Sequence, residues 1–332
     1  MSRRSSIVFA MIIVGFTSAA SGCSGGASSA PPVPHYIDAR FYTSPQSLGS
    51  WSIKARPPTE RASLAAGVVD GVLYAIGGEV GLHIHPVNTV EAYDQQTNTW
   101  TTRQHLITAR YIFASAVARG KLYAIGGVGV GPYLNTVEIY NARLNDWQPR
   151  PPMPTARGGL AAGVINGVVY AVGGVNGNIL NTVEAYNTTT ESWTTKAPMP
   201  TARYDLAVSV VNGILYAIGG ANTSGRLNTV EAYDPATNSW TTKTPMSTGR
   251  WELASGVING KIYAIGGVSS NMDLNTVEAY DPATNTWTPK ASMPNPRFAL
   301  AVGVAGTTLY AVDGCCKGHQ GRDVRTLWAF NP

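Results

Sequence analysis

The chain has 332 residues, only 13% of them charged, and a formal charge of +5 scattered along its length. Nucleic-acid binding needs a clustered basic face beside base-stacking aromatics, and no such cluster stands out, so no nucleic-acid partner is expected. Low charge with Asn- and Thr-rich turns suits an exported β protein.

Residues 1–22 read as an export signal. Arg3 and Arg4 precede an apolar stretch, 7–16, too short to span a bilayer, and small residues then lead to Ala20-Ser21-Gly22-Cys23. That is the layout of a secretory signal. Its end resembles the lipobox of bacterial lipoproteins, which implies cleavage before Cys23, a diacylglycerol on its thiol, and residence in the bacterial cell envelope. Ala20 departs from the Leu usual at the first lipobox position, which leaves ordinary cleavage and a secreted form open. Residues 23–48 form a tether, Ser-, Gly-, Ala- and Pro-rich over 24–34, followed by a stretch without assigned structure.

From residue 49 to 332 the chain repeats itself. Trp51, Trp100, Trp147, Trp193, Trp240 and Trp287 are each followed ten residues later by an Arg: Arg61, Arg110, Arg157, Arg203, Arg250 and Arg297. Thirteen residues beyond each Arg stands a Tyr: Tyr74, Tyr123, Tyr170, Tyr216, Tyr263 and Tyr310. A Gly-Gly pair follows three residues later in five copies and is Asp313-Gly314 in the sixth. A fixed period of 46 to 49 residues means an array of like supersecondary units.

In the unit from Arg203 to Trp240, an apolar run (206–211) meets Asn212-Gly213, a hairpin dipeptide. The next run, 214–218, ends at the double Gly. A third strand at 230–233 leads through Asp234-Pro235 and Asn238, a turn set by Pro and Asx chemistry, to a fourth at Trp240. Four short antiparallel strands without helical periodicity describe one propeller blade. The double Gly, the Tyr of Val-Glu-Ala-Tyr and the Trp seven residues on resemble the kelch repeat over residues 51–330. The resemblance implies an all-β, six-bladed kelch β-propeller with four antiparallel strands per blade. Copy six lacks a fourth strand before Pro332, and Trp51-Ser52-Ile53-Lys54 is a fourth strand with nothing before it. The N-terminal strand is therefore expected to complete blade six.

Two of the three cysteines are neighbours, Cys315 and Cys316; a vicinal disulfide, a thiol pair toward soft metals, or two small loop residues all remain open. His83, His85 and His319 lie in loops on either side of the ring closure, with Glu79 and His105 nearby. No His–Cys spacing matches a known metal signature, so no metal or other cofactor is expected, although these histidines are what a metal would use.

Length variation among copies falls between the double Gly and the third strand, which marks one face as individual and as the candidate binding face. The six repeated Arg could ring the channel mouth as anion binders or bond the repeated Glu91, Glu138, Glu184, Glu231 and Glu278 as blade struts. The residues after them are not repeated and include Tyr111, Tyr204, Trp251 and Phe298, with Asp205 and Glu252 one place further on. Aromatics and carboxylates together suit a sugar ring and its hydroxyls; the same rings could simply plug the channel.

The expected function is a binding module, lipid-anchored through Cys23 or secreted and monomeric, with a glycan or protein partner. The alternative is a sugar-active enzyme. Kelch propellers include a sialic acid mutarotase and the copper-containing galactose oxidase. The first type implies Glu252 or Asp205 as general acid/base with Arg203 or Arg250 holding a carboxylate. The second fits poorly, because the histidines crowd two loops and the cysteines adjoin.

Overall fold

The computed structural model describes residues 48–81, 85–270, 272–315 and 324–332. The expectations for the signal, the tether, Cys23, His83, Cys316 and His319 fall outside these residues.

Six four-stranded antiparallel sheets stand around a central axis, each running outward from an innermost strand. Blade one comprises Ala65–Val69, Val72–Ile76, Val90–Asp94 and Thr99–Thr102; blade four comprises Ala207–Val211, Ile214–Ile218, Val230–Asp234 and Ser239–Lys243. The innermost strands of successive blades are in contact all the way round, blade six against blade one included. The first hairpins are built as the dipeptides dictate. Asn212 and Gly213 have φ of 50° and 77°, the paired positive values of a type I′ turn.

Blade six closes as the sequence requires. Ser50–Ile53 pairs antiparallel with Leu327–Asn331, which continues to Thr308–Val312 and Ala301–Ala305. In this register Trp51 lies opposite Phe330, as Trp240 lies opposite Tyr233 in blade four. The Trp51 and Phe330 rings are 4.9 Å apart, against 5.2 Å for Tyr233 and Trp240.

Three sets of hydrogen bonds join neighbouring blades, and each set runs the full circle. At the outer rim every repeated Trp donates its indole N–H to a carbonyl that follows the preceding blade's last strand. Trp51 donates to Ala291 at 2.8 Å, Trp100 to Ala55 at 2.8 Å, Trp147 to Gln104 at 2.9 Å, and so on through Trp193, Trp240 and Trp287. Further in, the second Gly of each pair donates to the carbonyl of the next blade's Arg, as Gly220 does to Arg250 at 2.9 Å and Gly314 to Arg61 at 3.2 Å. The first Gly makes this approach possible: a Cβ on Gly219 would stand 2.7 Å from the Arg250 carbonyl oxygen, and φ there is +62°. Only Gly meets both conditions at no cost. The third set encircles the channel mouth and is described below.

The strand carrying Trp51 is thus bound through a ladder, a stacked ring and a rim hydrogen bond. Trp51→Ala is expected to cost about 3 kcal/mol, at the lower end for a large aromatic because this ring is only partly buried. Trp51→Phe, which keeps most of the packing and removes the indole donor, is expected to cost about 1 kcal/mol. Urea unfolding of both variants checks the order; an alanine variant as stable as the parent would mean the closing strand is not part of the cooperative unit.

Candidate functional site

The repeated Arg side chains are not at the surface. All six are enclosed, with 0 to 1% of their area exposed. In blades one to five each guanidinium pairs with its own blade's third-strand carboxylate: Arg61 with Glu91 at 2.6 Å, Arg110 with Glu138 at 2.5 Å, Arg157 with Glu184 at 2.7 Å, Arg203 with Glu231 at 2.5 Å, and Arg250 with Glu278. Remaining guanidinium N–H groups cap carbonyls where the second strand ends, such as Arg203 on Gly219 and Thr229. The carboxylates are equally engaged. Thr59, Thr155 and Thr201 each donate a hydroxyl at 2.7 Å to Glu91, Glu184 and Glu231. This is the strut arrangement, and it withdraws Arg203 and Arg250 from the mouth, where the mutarotase-type reading needs them. A buried charge is tolerated only when paired and hydrogen-bonded.

Blade six solves the same problem differently. Trp328 occupies the position of the third-strand Glu, opposite Ala311 as Glu231 is opposite Ala217. A carboxylate enters at another place, Asp313, which replaces the first Gly, adopts φ of 50° and faces Arg61 of blade one. Asp313 is fully buried, 3.8 Å from the Arg61 Nε, and Arg297 bonds its carbonyl at 3.1 Å. Burial pushes the Asp313 carboxyl well above the usual range, against the pull of Arg61 and Arg297.

The mouth is made by the residues two places after each Arg: Ser63, Ile112, Gly159, Asp205, Glu252 and Ala299. All six have φ between 41° and 59°, although only one is Gly. The conformation turns each peptide along the circumference, so that every N–H donates to the preceding blade's equivalent carbonyl. Ser63 donates to Ala299, Ile112 to Ser63, Gly159 to Ile112, Asp205 to Gly159, Glu252 to Asp205 and Ala299 to Glu252, at 2.7 to 3.0 Å. The left-handed conformation costs an L-residue about 1 kcal/mol or more, and closure of the girdle sustains it. Within lies a cavity of about 110 Å³, its wall completed by Leu64, Phe113, Leu160, Leu206, Leu253 and Leu300.

Asp205 and Glu252 both line this cavity. No hydrogen bond or ion pair reaches either carboxylate among the described residues. Burial pushes Asp205 up to about 7. Glu252 rises to about 8, first through burial and then through repulsion from Asp205, Glu79 and Asp273, with Arg226 opposing. Glu79 is also raised by burial, although it accepts a 2.7 Å bond from the Ser63 hydroxyl. Gly159 makes room for this arrangement, since a Cβ there would stand 2.7 Å from Asp205 Oδ1.

Tyr204 and Trp251 stand one residue upstream of the two carboxylates. Their rings meet edge to face at 5.7 Å and 90°. Arg226, from the Ala221–Asn222 and Gly225–Arg226 hairpin, lies over the Trp251 ring at 5.5 Å, within cation–π range. These three residues, with Ala221, Asn222 and Gly225, line a second hollow of about 140 Å³. The Trp251 Nε1 is buried without a partner. Tyr111 and Phe298 hold the equivalent places in blades two and six, half-buried and bridged to Val128 and Cys315. The individual loops begin at these bridges, so the mouth and the variable loops share a face. His85 lies exposed in the blade-one loop and Cys315 is buried. No group of three or more potential metal ligands occurs among the described residues.

Sequence reasoning missed Arg226, which lies at a loop position that differs from blade to blade, and the girdle. The girdle did leave a trace, because every ring position is followed by Leu or Phe: Leu64, Phe113, Leu160, Leu206, Leu253 and Leu300.

Comparison with known families agrees with this architecture. The KLHDC2/KLHL20/DRC7 Kelch-repeats domain matches residues 40–199, and the Kelch motif matches 202–247 and 252–294. The chain belongs to the kelch-repeat family, as a six-bladed β-propeller. Among solved structures, one described as the structure of YjhT superposes with a TM-score of 0.74 at 18% identity, covering 83% of this chain and 96% of that one. At that identity the likeness concerns the fold. No curated protein gave a significant match.

Two expectations follow. Glu231→Ala leaves Arg203 buried beside an empty place and is expected to cost about 3 to 5 kcal/mol, read by urea unfolding. The second concerns pH. Because Asp205 and Glu252 titrate at about 7 and 8 when folded and near 4 when unfolded, the native state binds more protons between those values. Stability contributed by this pair therefore falls as pH rises from about 4 to about 8. An Asp205→Asn, Glu252→Gln variant is expected to lose that slope and to be more stable than the parent at pH 9 but not at pH 4. Parallel curves for the two proteins would remove the assignment.

Proposed function

We propose that this kelch propeller is an exported, lipid-anchored binding module that takes a saccharide at its channel mouth. Export and anchoring rest on the apolar segment ending at Cys23. The saccharide reading rests on one observation, two unpartnered carboxylates lining a cavity beside the Tyr204–Trp251 pair. Carboxylate oxygens accept bonds from vicinal hydroxyls, and aromatic faces cover the C–H faces of a pyranose. The closed ring of main-chain bonds sets the backbone positions of both carboxylates, and preorganisation of this kind lowers the ordering cost of binding.

A second reading, sugar mutarotation or epimerisation, is favoured by the proton affinities. Groups titrating at about 7 and 8 stand where general acid/base catalysis at neutral pH is most efficient. In that reading Glu252 and Asp205 exchange a proton with the ring oxygen and anomeric hydroxyl, and Arg226 replaces Arg203 and Arg250 as the cation facing substrate.

A glycan array with NMR measurement of anomer exchange separates the two. Binding weakened at least ten-fold by Trp251→Ala, without accelerated exchange, supports the module. Accelerated exchange abolished by Glu252→Gln supports the enzyme. An array without hits and no exchange would overturn both.

A further inference from the structure

The charges around the mouth say more about the ligand than its being a saccharide. The molecule as a whole is basic, yet among the described residues Glu252 senses three acidic neighbours, Asp205, Glu79 and Asp273, against the one guanidinium of Arg226. That guanidinium is already stacked on Trp251. The side chains facing the pair are completed by Tyr204, whose phenol is raised by burial and by both carboxylates. Two further observations point to an occupant. A cavity of about 110 Å³ opens directly on Asp205 and Glu252, and the Nε1 of Trp251, the residue just before Glu252, is buried without a hydrogen-bond partner. Buried polar atoms are ordinarily satisfied. An anionic ligand would meet repulsion here. A metal ion would want three or more converging ligands, and no such group occurs among the described residues.

Resting on the saccharide reading above, we propose that the ligand is an amino sugar whose nitrogen is free and protonated, its ammonium facing Asp205 and Glu252. An ammonium carries three N–H donors, enough to bond both carboxylates, and such charge-assisted bonds are about twice as strong as neutral ones. Acetylation of the nitrogen removes the charge and two of the donors.

Calorimetric titration of the purified protein with glucosamine, N-acetylglucosamine and glucose tests this. At pH 7.5 glucosamine is expected to bind at least ten-fold more tightly than either of the others. The preference is expected to vanish in Asp205→Asn, Glu252→Gln, or in Glu252→Gln alone should the double variant not fold. It is also expected to shrink several-fold at pH 5.5, where both carboxyls hold their protons. Equal affinity for all three sugars, or a preference that survives the substitutions, overturns the amine and leaves the saccharide reading standing. If none of the three binds, the amino sugar is overturned. Titration with n-butylammonium then decides whether the carboxylates form a cation site at all: binding lost in Glu252→Gln keeps the cation and discards the sugar, and no binding discards both.

Discussion

Hydrogen bonds that run around the circle, from blade to blade, are the constraint on which the rest of this protein depends. A single four-stranded blade has two open edges and cannot bury its apolar surface alone. Packing of faces gathers the blades, but packing is tolerant of small rotations. The rim indoles, the Gly-to-Arg-carbonyl bonds and the girdle at the mouth act at three radii and fix each blade relative to its neighbours. Each net bond contributes only about 1 kcal/mol. Closure makes them cooperative, because no blade can turn without breaking bonds on both sides.

The same residue types do opposite work according to their partners. Glu231 and Glu252 are both carboxylates, one on a blade's third strand and one at the channel mouth. Glu231 is held by Arg203 and Thr201, so its valence is exhausted and it is part of the frame. Glu252 has no such partners, and its charge is destabilised by its neighbours. Chemistry is available where pairing is incomplete, which is why the mouth and not the buried Arg ring carries the functional reading. Asp313 and Trp328 belong with the frame: blade six lacks the third-strand Glu, and a carboxylate placed where five other blades have Gly lies beside Arg61 of blade one.

Much of this was legible in the chain. The Trp, Arg and Tyr spacings gave six blades, and the unpaired ends at Trp51 and Phe330 gave the closure. Those features are periodic, and periodicity is what a single sequence displays best. Asp205 and Glu252 stood out because they broke the repetition. The state of the Arg residues stayed ambiguous, since a strut and an anion ring both repeat, and only burial separates them. Arg226 was invisible because its own position varies: before the common Leu-Asn-Thr, other blades have Tyr133, Ile179 and Asp273. The girdle was hidden for a different reason: backbone conformation at Ile112 or Glu252 is imposed by closure, against their own preferences.

The girdle carries a consequence for how such a mouth can diversify. Its bonds are made by main-chain atoms alone, so six side chains are arrayed at equal intervals on a circle that none of them is needed to hold. Each lies in a separate repeat, and the positions already accommodate a hydroxyl, a branched alkyl, a hydrogen, two acids and a methyl. New specificities at the axis can therefore be written one blade at a time, limited mainly by which residues accept a left-handed backbone, while the frame beneath stays as it is.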